Sequence, residues 1–91
     1  MKRGEILDKA KDCVTRDRAA IHGSAEESFT EIAALWSARL KVTIRPDQVP
    51  IMLGDLKTVR AWNNPSHPDN WVDLAGYAAC GGEIALREPV K

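Results

Sequence analysis

The sequence predicts an all-α fold: a small antiparallel bundle of about four helices, with one short extended connector at 41–45. Three observations carry that expectation. Apolar residues recur at three- and four-residue steps over four separate stretches, the period of a helix with one buried stripe. Clusters of glycine, proline and asparagine divide those stretches, and such residues stop helices. The β-branched triplet Val42-Thr43-Ile44 is too brief for an independent sheet. With 91 residues the chain makes a single helical domain, 1–91, near the size at which one core is only marginally stable.

The first helix is expected from about Glu5 to Ala20. Ile6, Ala10, Cys13, Val14 and Ile21 form its stripe, and Asp17 falls on that stripe between Val14 and Ile21. His22-Gly23 supplies the stop, since glycine accepts the backbone angles of a C-terminal cap. Ser24, three residues ahead of Glu27, reads as a capping box opening a second helix to about Leu40. Phe29, Ile32, Ala33, Trp36 and Leu40 are its inward set. Lys41 to Arg45 then runs extended, because Arg45 precedes a proline.

Pro46 and Pro50 both suit the first turn of a third helix, where amide hydrogens lack partners. That helix runs to about Trp62, with Val49, Met52, Leu53, Leu56 and Val59 expected to face inward. Asn63 to Pro68 is turn-forming, and Asp69 is the expected N-cap of a last helix to about Arg87. Gly76, Gly81 and Gly82 each cost this helix about 1 kcal/mol relative to alanine. Their presence predicts either a close backbone approach or a break. Short connections favour antiparallel neighbours.

Composition narrows the function. Thirteen Lys and Arg balance thirteen Asp and Glu, so there is no basic field for nucleic acid. No apolar run has signal or transmembrane length, which excludes a membrane partner and points to the cytoplasm. Cys13 and Cys80 lack a CxxC or Cys/His pairing and read as free thiols. No P-loop, GxGxxG or nucleophile elbow occurs, and no Ser or Cys has an evident base nearby. Catalytic residues are therefore not assigned.

What stands out is charge placed where a bundle turns inward: Asp17-Arg18, Lys57-x-x-Arg60 and Asp69-x-x-x-Asp73. Burying a charge costs several kcal/mol unless it is paired or bound. Lys57 and Arg60 present two cations on a common face, with Asp17 and Asp73 as counter-ions. Two readings follow: a structural salt-bridge network, or an anion or nucleotide site in which Asp17, Arg18, His22, Lys57, Arg60, Asp73 and Tyr77 bind ligand. Glu27 with Glu31, and Asp69 with Asp73, are i,i+4 pairs that together would suit Mg²⁺. Against the metal, Glu27 and Asp69 already have capping roles and Glu31 reads equally as solvated. His22 and His67 lie in loops without zinc or triad spacing. Trp36 reads as core, whereas Trp62 and Trp71 flank the Asn/Pro loop and suit stacking or an interface.

The segments Asp17–Gly23, Ala34-Leu35-Trp36, Lys57-Thr58-Val59-Arg60 and Asp69–Ala78 resemble a family of short phage and prophage proteins of unassigned function. The shared order is D-R-x-x-x-aromatic-G, L-W, K-x-x-R and D-N-W-x-D-x-x-G-Y, spanning about Ile6 to Ala85. A looser similarity reaches the nucleotide-modification-associated domain and, beyond it, the all-α nucleotide pyrophosphohydrolases. The resemblance implies a phosphate-bearing ligand and, in its enzymatic form, metal-assisted hydrolysis of a phosphoanhydride. The sequence departs from these patterns at His22, where tyrosine is usual, and at Gly54-Asp55, which interrupts an apolar stretch. It also lacks the E-x-x-E and E-x-x-D helices of the hydrolases. Binding of a nucleotide-like small molecule, including its sequestration, is the leading expectation. The alternative is a phage accessory or anti-defence protein that contacts a host protein, with the polar cluster purely structural. Either would act in the host cytoplasm if phage-encoded. A chain this short, with glycines on its last helix, is expected to be a homo-oligomer.

Overall fold

Helices form wherever the apolar period is bounded by a stop, and the architecture is the expected all-α bundle. The structure, a computed structural model, describes residues 1–17 and 24–87, with Asp17 described by its backbone alone. The elements are α1 (Arg3–Asp12), a π-helical turn (Cys13–Asp17), α2 (Ala25–Leu40), α3 (Gln48–Asn63) and α4 (Pro68–Ala85). Among the described residues there is no strand.

The first helix departs from expectation. Its α-geometry ends at Asp12, and the chain continues in the wider π turn. Within that turn Thr15 Oγ1 donates to the Lys11 carbonyl at 2.6 Å, a local bond that competes with helical pairing. A π turn holds an extra residue and rotates everything after it about the axis. The stripe through Ile6, Ala10 and Val14 therefore cannot be extended to Asp17 by counting. Ile21 and the stop at His22-Gly23 lie outside the described residues.

Ser24 caps α2 by accepting from the Glu27 amide at 3.1 Å, one half of the predicted box. Phe29 and Ala33 are buried, while Leu40, expected inward, is exposed at the end of the helix. The helix stops at Lys41, a non-glycine residue in the left-handed region (φ 57°). The following connector is pinned by Ser37, whose Oγ accepts from the Ile44 amide at 2.8 Å. The start of α3 is similarly tied, because Gln48 Oε1 accepts from the Arg45 amide at 2.8 Å.

At α4 the expected cap is displaced. His67 occupies the N-cap position, Pro68 opens the helix, and Asp69 sits in the first turn instead. Proline suits that first position because its φ is already helical and it has no amide hydrogen to satisfy. Asp69 still complements the positive helix end. The helix is unbroken through all three glycines. A Cβ on Gly76 would lie 3.1 Å from Val14 Cγ1, and one on Gly81 would lie 3.0 Å from Pro50 Cγ. These two glycines let the π-helical turn and the start of α3 approach the α4 backbone.

α3 and α4 form an antiparallel hairpin: going up one helix and down the other, Pro50 meets Gly81, Gly54 meets Leu74, and Lys57 meets Asp73. α4 is the central element, in contact with α1, α2 and α3. The core gathers Phe29, Ala33 and Val49, with Trp36, Leu53 and Ile84 packed around them. An exposed Arg87–Glu26 ion pair joins the end of α4 to the start of α2. No helix among the described residues is long and apolar enough to cross a membrane.

Candidate functional site

Lys57 and Asp73 meet across the α3–α4 hairpin. Lys57 Nζ donates to Asp73 Oδ2 at 2.8 Å, with side chains only 14% and 20% exposed. Two features of the sequence produce this contact. Lys57 lies on the same face of α3 as Pro50, Gly54 and Ala61, the face whose small side chains let α4 come close. Asp73 stands one turn beyond the first turn of α4, so the hairpin loop sets the two opposite each other. A charge-assisted bond in partial shelter from water is stronger than its surface equivalent.

Tyr77 follows Asp73 by one turn and packs partly against the Phe29, Ala33 and Val49 core. Neither Asp73 nor Tyr77 is a group without further partners. Arg60 stands apart from this pair. It is exposed and makes no ion pair among the described residues, because three helical residues carry it about 60° around α3 from Lys57. The predicted common face of the two cations is thus split. Arg18 and His22 lie outside the described residues, as does the side chain of Asp17.

The four carboxylates considered for Mg²⁺ are dispersed. Glu27 and Glu31 are exposed on α2, Asp69 is exposed at the start of α4 beside His67 (3.8 Å), and Asp73 is engaged by Lys57. Among the described residues no three His, Cys, Asp or Glu side chains gather as a metal-ligand group. The i,i+4 spacing places each pair on one face but leaves the facing of the two helices to tertiary packing.

Trp71 Nε1 donates to the Pro65 carbonyl at 2.8 Å, which ties α4 back onto the loop it leaves. Trp62, at the other side of that loop, is 88% exposed. Periodicity missed the outer face of α3: Met52, Leu56 and Val59, read as inward, are 40%, 46% and 59% exposed. The small residues Gly54 and Ala61 on the opposite face were the signal. They mark the side on which another backbone fits.

The family described as a domain of unknown function (DUF6378) matches residues 5–85. The chain belongs to this family. Among similar proteins, the Gene 55 protein of Mycobacterium phage L5 is 37% identical over 84 residues, covering 91% of this chain and 54% of that protein. The Gene 55 protein of Mycobacterium phage D29 is 33% identical over 86 residues, covering 94% of this chain and 56% of that protein. The chain thus spans a little over half the length of these curated relatives. No solved structure matches this DUF6378 chain. The resemblance to a phage-associated family of unassigned function is thereby established.

Proposed function

We propose that this DUF6378 protein is a phage-type accessory factor that acts by contact with a host protein in the host cytoplasm, its Lys57–Asp73 pair serving as scaffold. The observation that carries this reading is Trp62: an 88% exposed indole at a corner whose other side is held by the Trp71–Pro65 bond. A large aromatic kept in water on a braced corner is the side chain type that most often anchors a protein interface. The phage origin of the relatives supports a host partner, and the cancelled charge suits a factor that avoids nucleic acid. The partner surface would offer an apolar pocket for the indole.

The test is restoration of phage plating on bacteria carrying defence systems, with the protein supplied in trans. Trp62→Ala should abolish the effect while leaving the melting temperature unchanged, since the indole contributes little to the core. Full activity of Trp62→Ala would sink the proposal.

A second reading, a nucleotide-like phosphate ligand held by Lys57 with Asp73 and Tyr77 orienting it, draws on one observation. The ion pair retains partial exposure, so an anion can compete for Lys57 from solvent. It is a reading of binding and possible sequestration, without turnover. A nucleotide panel, with and without Mg²⁺, should raise the melting temperature in this case, because a ligand specific for the folded state stabilises it. The rise must vanish in Lys57→Met for this reading to stand.

A further inference from the structure

We propose that the outer face of α3 is where a second copy of this chain docks, side by side and in the same direction. Surface area is the first sign of a partner. A folded 10.0 kDa monomer exposes about 5,200 Å² by the usual size scaling, whereas this chain exposes 6868 Å². The excess, roughly 1,600 Å², lies within the area each partner gives up in an obligate homodimer.

Exposed apolar side chains occur on several elements, and on α3 they form a regular row. On α3, Pro50, Gly54, Lys57 and Ala61 face α4, and on the opposite side Met52, Leu56 and Val59 follow one another at steps of four and three. That spacing is the seam by which two helices pair. Val49 would begin the same seam, but the α2 core covers it and it is 0% exposed. The seam is thus closed at one end by the chain's own core and open from Met52 onward.

Charge selects the occupant and its direction. Flanking the seam, Asp55 lies on one side and Arg60 on the other, and neither makes an ion pair among the described residues. In two parallel helices related by a two-fold axis, a residue flanking the seam faces the residue five places later on the partner helix. Asp55 of one copy then meets Arg60 of the other, twice by symmetry. Antiparallel pairing gives neither contact. A second copy therefore covers apolar surface and pairs both charges together. This inference rests on different residues from the Trp62 reading, and either can fail alone.

Light scattering with gel filtration tests it on the full chain. The wild type should elute as a dimer, and Leu56→Glu as a monomer with unchanged helical circular dichroism. Asp55→Arg should raise the dimer dissociation constant about tenfold at low salt, through like charges set face to face. Adding Arg60→Asp to Asp55→Arg should restore the wild-type constant. A monomeric wild type overturns the proposal, as does a dimer that survives Leu56→Glu. Failure of the double reversal to restore binding overturns the parallel register.

Discussion

Lys57 shows how one side chain can be read rightly from sequence as inward while its partner waits for the fold. Its amine is sheltered and bonded to Asp73 at 2.8 Å, so the structure offers it a partner before any ligand arrives. Removing the cation alone leaves a carboxylate in partial shelter. Lys57→Met is expected to lose about 1–3 kcal/mol of unfolding free energy, measured by urea denaturation. Adding Asp73→Leu should not recover that loss in full, because Asp73 has a partner besides Lys57 that the leucine also removes. A double variant less stable than the single one would show that Asp73 has a role independent of Lys57. Arg60, three residues away, makes the opposite point: the same K-x-x-R motif sends its two cations to different environments.

Among the elements, α4 carries the most information, and its glycines separate two physical causes. Gly82 has nothing within 4 Å of where a Cβ would stand, so Gly82→Ala should stabilise the fold by up to about 1 kcal/mol through helix propensity. Gly81→Ala gains the same propensity but drives a methyl against the buried Pro50 ring at 3.0 Å. Overpacking of that kind costs about 1–3 kcal/mol, so a net loss is expected. Thermal unfolding of the two variants side by side checks the contrast. At the start of α2, Ser24→Ala should cost about 1 kcal/mol by freeing the Glu27 amide, read by the same denaturation curves. Ser24 was legible because a capping serine acts within its own four residues. The N-cap of α4 was not, because Pro68 overrides Asp69 by its fixed backbone angle.

For the molecule as a whole, the deciding quantity is surface. The 10.0 kDa chain exposes 6868 Å², and the concentration dependence of its stability tests whether a second copy covers part of it. If two copies pair through α3, the melting temperature rises with protein concentration by mass action, and Leu56→Glu flattens that dependence. Calorimetry across a concentration series measures both. The mycobacteriophage relatives extend well beyond the matched region.

Local chemistry was enough to specify four helices and the Ser24 cap, and it narrowed the α4 glycines to a close approach or a break. It also marked Lys57 and Asp73 as residues needing an answer. Tertiary packing alone decided that they answer each other, that Arg60 does not join them, that the four carboxylates stay apart, and that Met52, Leu56 and Val59 face out. The reason is geometric. Periodicity sets the angle of a stripe around its own axis, but which stripe is covered depends on where a neighbouring helix, set by a distant turn, comes to lie.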